Sequence, residues 1–502
     1  MTKPNILWIY CDELRSDALG CYGNPYATMQ TPHIDSIAEQ GVLFENSFCN
    51  SPVCVASRSS ILTGLYPEQT GVYHNEAVWP NYRFDETHFG EQCNKAIPIT
   101  FPEVFAQQGY TTANFGKVHV PAALRSWIHS DVSGSNMMDF YHDIDPADLK
   151  PILAPGPPLV IGGVYPGDRS YPADVVTNNT LAWLENVDGP WLTRVSYLQP
   201  HTPVFPPAPL DKLYQEGNFP DTIADGSGLS RFEQSFGDVI GTRGLSPQAI
   251  FQSQIQYYGL VAWIDLQVGK LLEYLQQRNQ LENTIIVFGA DHGASLGECG
   301  RYQKQTFAPE SHRVPRIISW PGTLPKGEQR SELCQSMDLA RTLSGLTGVE
   351  LPEQFQGRDL FSTPASEAIY STIGYGFASS RPFPNLGFGN FVDAGGNEHG
   401  WPRRACVRTD RYRLDKNVRL NGEAVAPELE DIFLADAQAD PSENTNLADQ
   451  PEYAEMVARL SKTLDDHVAN SVEVPEGWTK RDRTQPKRSA EFRQKLREVS
   501  LK

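Results

Sequence analysis

The run NILWIY at residues 5–10 constrains this chain more than any other feature. It has no polar alternation, so it cannot lie in a sheet with one face in water. It predicts a strand buried on both faces, and therefore a largely parallel sheet covered by helices on each side. The same texture recurs along the chain. TPHIDSIAEQG follows, with Thr31 expected as helix N-cap, Pro32 at the first helical position and Gly41 as the stop. Residues 42–48 (VLFENSF) read as a second strand, and a helix is expected from Cys54 to Gly64. FPEVFAQQG and TTANFG give a further helix and strand, DVVTNNTLAWLENV and WLTRVSYL another pair. A long amphipathic run at 247–277 precedes the apolar strand TIIVFGA. PRIISW and a helix after Ser336 continue the alternation. The expected class is α/β, a doubly wound mixed sheet flanked by helices, which places ligands at the carboxyl ends of its strands.

A chain of 502 residues has room for one large domain and a smaller one. The texture changes near Ile373, where Gly- and aromatic-rich sequence leads to RACVRTDRYRLDKN, read as one alternating strand. A turn at Asn421-Gly422 and a helix over 451–468 follow. The expected division is a catalytic α/β domain at 1–373 and an α+β subdomain at 374–502, ending in a basic tail at 480–502. Two Pro/Gly-rich stretches, 151–172 and 200–228, read as long surface loops.

The formal net charge of -19 argues against a nucleic-acid or anionic-membrane partner. An anionic substrate would need a local basic pocket inside that field. No apolar stretch is long enough for a signal-peptide core or a membrane span, so the cytoplasm is the expected location. The eight cysteines form no CxxC pair and read mostly as reduced, buried side chains. Several acids and bases stand just past predicted strands: Asp12, Lys117 and His119, His201, and Asp291-His292. Any one of them has a bland reading as a loop cap, but strand ends on one sheet edge converge, so together they predict a single site.

SPVCVASRSSILTG, at 51–64, resembles the signature of sulfatases in which a Cys or Ser is oxidised to formylglycine. Cys54 takes the place of the modified residue and Arg58 that of the signature Arg. The likeness continues through NILWIYCDELRSDALGCYGN, GKVH (116–119), QPHTP (199–203), GADHGASLGE, Lys304 with ESHRVP, and the C-terminal DPSENTNLAD. It covers nearly the whole chain and implies an alkaline-phosphatase-like fold. It also implies one divalent metal ion (calcium, manganese or zinc) held by Asp12, Asp291, His292 and residue 54, with Glu13 as a candidate further ligand. Hard oxygen ligands suit such an ion, and the imidazole shifts the preference from calcium towards manganese, zinc or iron. Metal binding would lower the pKa of a hydroxyl on the aldehyde hydrate, making it a nucleophile. Lys117, Lys304 and Arg58 would hold the hydrate and the charged oxygens of the transferred group. His201 would protonate the leaving oxygen, His119 would take a proton from the second hydroxyl, and Asn75 would contact substrate.

The chain departs from the family pattern at three places. Ala56 stands where most members have Pro, the first metal segment reads Asp12-Glu13 instead of two Asp, and Asp291-His292 replaces the common Asp-Asn. The last pair resembles the branch of phosphonate monoester hydrolases and choline-type sulfatases. The expected activity is hydrolysis of aryl or alkyl sulfate monoesters with side activities. The alternative is a phosphonate monoester or phosphate diester hydrolase using the same residues. A two-metal phosphomonoesterase would need further ligands, and a non-catalytic relative would have lost several of these side chains. The implied partners are a small sulfate or phosphonate ester and a formylglycine-generating maturation enzyme. A homo-oligomer is left open.

Overall fold

The structure is a computed structural model. It describes residues 3–23, 31–75, 98–121, 124–125, 127, 150–151, 161–162, 172–202, 204–214, 226–240, 246–378, 380–382 and 389–471. In chain order the main elements of its larger part are β1 (Asn5–Asp12), α1 (Pro32–Glu39), β2 (Val42–Phe44), α2 (Cys54–Thr63), α3 (Phe101–Gln107) and β3 (Thr111–Gly116). Then come α4 (Pro172–Leu184), β4 (Trp191–Pro200), α5 (Pro247–Gln277), β5 (Thr284–Ala290), β6 (Arg316–Ser319), β7 (Glu328–Arg330) and α6 (Asp338–Thr347). The seven strands form one sheet in the order β7-β2-β6-β5-β1-β4-β3. Strands β5, β1, β4 and β3 are consecutive parallel neighbours. Only β6 runs against its neighbours, antiparallel to both β5 and β2, so the sheet is mixed.

The first strand shows why the run at 5–10 had to be apolar throughout. Leu7, Ile9 and Cys11 pack into one layer with residues of α1, α4 and α5. Ile6, Trp8 and Tyr10 point the other way, into a second layer with α3 and α6. Every residue of β1 is buried. A polar side chain at either set of positions would lose its water with no partner in an apolar layer.

Three local expectations are corrected. Thr31 precedes α1, but its side chain does not cap the helix. Its hydroxyl accepts from Gly20 N (2.9 Å) and donates to Asp35 Oδ1 (3.0 Å). The orphan amides of His33 and Ile34 are instead satisfied by Asp265 Oδ1 of α5, at 3.0 and 2.8 Å. Residues 42–48 are two strands, β2 and Ser47–Phe48, which pair with different partners. The segment RACVRTDRYRLDKN is a hairpin of two strands, turning where Thr409 N donates to the Tyr412 carbonyl and Tyr412 N to the Thr409 hydroxyl.

The smaller sheet is antiparallel: β8 (Ile369–Ile373), β9 (Arg403–Arg408), β10 (Tyr412–Leu420) and β11 (Glu423–Ala424) in order, with β12 (Phe433–Asp436) also on β10. Its edge strand β8 thus precedes the change of texture at 373. Asn421 and Gly422 both have positive φ, +51° and +94°, as a two-residue hairpin of that hand requires. The sheet packs on α7 (Ala454–Asn470) through Ala405, Val407, Leu414, Leu434, Leu460 and Leu464. Arg408 and Arg413, on β9 and β10, are buried. Both pair with Glu443, and both donate to the Phe307 carbonyl, at 3.5 and 2.9 Å. Most of the loop expected at 151–172 and all of the basic tail at 480–502 lie outside the described residues. Among the described residues, no helix is long and apolar enough to cross a membrane.

Candidate active site

Because β5, β1, β4 and β3 are parallel neighbours, the residues that follow them share one edge of the sheet. Asp12 ends β1, Asp291-His292 follows β5, His201 follows β4, and Lys117 follows β3. Gly116 makes the last of these turns possible. Its φ is +87°, and a Cβ there would lie 2.0 Å from the carbonyl oxygen of Ser196. Gly293 is a second forced position, since its Cβ would meet Glu310 O at 1.9 Å. Against this edge α2 presents its N-terminus, with Cys54 in its first turn. The helix dipole therefore adds positive potential at the Cys54 side chain.

Cys54 is fully buried and is the point on which the other groups converge. Its Sγ lies 3.1 Å from Lys304 Nζ, 3.2 Å from His292 Nε2, 3.7 Å from Asp12 Oδ1 and 3.9 Å from Lys117 Nζ. Asn75 Nδ2 is 4.0 Å away, while Asn75 Oδ1 accepts from Val55 N at 3.1 Å and ties this residue to the start of α2. Burial alone would raise the thiol pKa. Lys117, Lys304 and His292, with a hydrogen bond from His119, outweigh it and hold the thiol well below its ordinary value. The site thus favours an anion at position 54.

Arg58 does not face the space above Cys54. Its Nε donates to Asp291 Oδ2 (2.7 Å) and Nη2 to Asp12 Oδ2 (3.0 Å), while Nη1 reaches Lys117 O and Ser196 Oγ. The role expected for it, gripping the oxygens of the transferred group, is not the one this geometry gives. It clamps the two carboxylates, with its guanidinium 5.3 Å from the centre of the Tyr10 ring. Burial opposes ionisation of Asp12, but Lys117 and Arg58 keep its pKa well down. Asp291 is pushed up, by burial and by Asp12 beside it. Ser57 Oγ holds the Asp291 carbonyl at 2.6 Å.

Asp12, Cys54, Asp291 and His292 each offer a ligand atom within 4.8 Å of the others, all buried, and can hold a metal ion. The imidazole supports the fit. His292 Nδ1 donates to Gly293 O (2.9 Å), which aims Nε2 at the cluster. Burial works against charge on this ring, but Asp291 and Cys54 raise its pKa to about 9. Nε2 therefore sits where positive charge, a proton or a metal ion, is favoured. His119 is the opposite case: burial and Lys117 lower it to about 4, so its ring is neutral and able to accept a proton. Glu13 belongs to a second group, with Asp12 and His201.

All the site residues expected from the sequence are thus brought together, Asn75 included. Sequence reading missed Tyr257, Ser57 and Ser196, which act on backbone atoms or on other side chains of the site. His74, three residues past Gly71, binds the Pro382 carbonyl through Nε2 at 2.7 Å. His312 is held by Cys49 O and Ser371, away from Cys54.

Fold and site define a hydrolase of the α/β class, with a buried cysteine ringed by cationic side chains at the edge of a mixed sheet. The chain belongs to the sulfatase family, whose profile matches residues 4–349, and it is a sulfuric ester hydrolase. It is 30% identical to an ulvan-active sulfatase of Formosa agariphila, over 92% of this chain and 81% of that protein. The structure of a phosphonate monoester hydrolase from Silicibacter pomeroyi superposes with a TM-score of 0.70 at 21% identity, covering 96% of this chain and all of the other. That of BT4656, solved with its substrate D-glucosamine-2-N,6-O-disulfate, gives 0.69 at 22% identity, covering 94% and 98%.

Proposed function

We propose that the protein hydrolyses aryl or alkyl sulfate monoesters at a formylglycine made from Cys54 by a maturation enzyme. The observation that carries this reading is the convergence of Lys304, His292, Asp12 and Lys117 on one buried sulfur, at 3.1 to 3.9 Å. In this arrangement Cys54 Sγ marks the place of the hydrate oxygens. Asp12, Asp291, His292 and residue 54 would hold one divalent cation, and that cation supplies Lewis acidity at the nucleophilic oxygen. Lys117 and Lys304 grip the charged oxygens of the ester, and Asn75 holds the first turn of α2 against the substrate. Arg58 keeps both carboxylates aimed, through Nε to Asp291 and Nη2 to Asp12. His119, neutral, accepts a proton from the hydroxyl at position 54, and His201 delivers one to the leaving oxygen.

The same site serves phosphonate monoesters and phosphate diesters as side substrates. Their monoanions carry the same charge and tetrahedral shape as a sulfate ester, and His292 stands where that branch of the family has its His. Discrimination then rests on room for the diester's second substituent. Catalytic efficiencies on matched aryl sulfate and phenyl phosphonate esters, measured on fully modified protein, test the reading. Sulfate is expected to be preferred, and a large phosphonate advantage would reverse the assignment.

A further inference from the structure

Glu13 stands where the family resemblance leads one to expect a second metal-ligating carboxylate, but its surroundings give it other work. It is buried, with 2% of its surface exposed, and adopts φ +62°. A non-glycine residue persists in the left-handed region only where its neighbours fix it. They do so here at three points. Glu13 N donates to Asp291 Oδ1 (3.2 Å), and Glu13 O accepts from the Tyr257 hydroxyl of α5 (2.5 Å). The same hydroxyl accepts from Arg15 N (3.1 Å), so Tyr257 brackets the turn from both sides.

The turn carries the carboxylate to Lys304. Glu13 Oε1 lies 2.5 Å from Lys304 Nζ and 3.7 Å from His201 Nε2, and Lys304 Nζ donates to His201 Nε2 at 2.9 Å. Carboxylate, ammonium and imidazole close a triangle. Asp12, Glu13 and His201 have ligand atoms within 4.8 Å of one another, ground that a second cation would need. The cation in contact with two of those three is the ammonium of Lys304.

We infer that Glu13 is a positioning residue, which holds Lys304 and His201 in register above Cys54 and does not ligate the metal. The inference rests on the roles given to those two residues in the proposed function. Glu13 acts through its charge and reach. Its carboxylate keeps the buried Lys304 ammonium where it meets both Cys54 and His201. Tyr257 fixes the backbone from which the carboxylate projects.

The test uses the full-length, modified, metal-loaded protein as wild type, Glu13→Gln, Lys304→Met, the double variant and Tyr257→Phe. Metal per chain is measured by elemental mass spectrometry, and kcat and KM on an aryl sulfate. Glu13→Gln is expected to retain wild-type metal content and to lose roughly 10- to 100-fold in kcat/KM, the usual cost of removing a group that orients an active-site residue. In the Lys304→Met background the same substitution should cost no more than about twofold, because its partner is already gone. Tyr257→Phe keeps the carboxylate and should show a smaller loss with metal unchanged, which preserves the test if Glu13→Gln folds poorly. Loss of metal in Glu13→Gln would overturn the inference, as would full activity, or an equal loss in both backgrounds. Wild-type activity in Lys304→Met alone would instead remove the role assigned to Lys304, and this inference with it.

Discussion

Lys304 Nζ donates to His201 Nε2 across 2.9 Å, while the other ring nitrogen of His201 bonds the Thr202 carbonyl. A carbonyl only accepts, so Nδ1 carries its proton and Nε2 receives the one shared with Lys304. Under the proposed function, the leaving oxygen would meet His201 with the Lys304 ammonium directly beside it.

That arrangement makes His201→Ala selective in its damage. Substrates with poor leaving groups should lose roughly 10²–10⁴-fold in kcat, and those with activated phenols far less. The slope of log kcat against leaving-group pKa, compared between wild type and variant, measures it. Parallel slopes would leave His201 with a positioning role only.

Asp291→Asn removes one of the two carboxylates that Arg58 clamps and one candidate metal ligand. Asp12 remains to neutralise Arg58, so the fold is expected to survive, as read by thermal unfolding. Metal per chain should fall together with activity, by roughly 10³-fold for a loss of about 4 kcal/mol in transition-state stabilisation. Full metal occupancy in the variant would remove Asp291 from the ligand set.

For Cys54, the tryptic peptide from a host that has the maturation enzyme should carry an aldehyde in place of the thiol, by peptide mass spectrometry. Cys54→Ala should be inactive in any host. An active preparation holding only the thiol would refute the modification, which Ala56 puts to a direct test.

His467 gives a pH signature remote from the chemistry. Its ring stacks on Tyr370, with centroids 3.7 Å apart and planes 3° from parallel, and burial lowers its pKa to about 3. The folded state favours the neutral ring. This stability is fully present above pH 6.5 and is lost as pH falls through the range from 6.5 towards 3. Between pH 6.5 and about 5 the expected loss is about 1–2 kcal/mol. His467→Phe keeps a stacked ring that cannot protonate, so its unfolding temperature should fall less steeply over that range. Identical acid limbs in the two proteins would contradict the assignment.

What could be read from the sequence follows from what leaves a local trace. Asp12, Lys117, His201 and Asp291 each stand just past an apolar run, so period and position were enough to gather them. Cys54 and Lys304 were found through the family motif and not through any pattern of polarity. The break after Phe44 has no Gly or Pro to announce it. It arises because β2 pairs with β6 and β7, whereas Ser47–Phe48 pairs with Cys334–Gln335. Thr31 carries every local sign of a cap, yet Asp265, a residue of the distant helix α5, supplies the acceptor. The reach of Tyr257 to the Glu13 carbonyl spans 244 positions and ends on a backbone atom, so no side-chain motif could reveal it.

The grip of Arg408 and Arg413 on the Phe307 carbonyl bears on how the enzyme comes into being. Phe307 lies three residues beyond Lys304, and the arginines that seat it are synthesised long afterwards. A nascent chain that already displays all its reacting groups therefore still lacks the brace that steadies one of them. Catalytic competence is therefore expected only once the smaller sheet has docked.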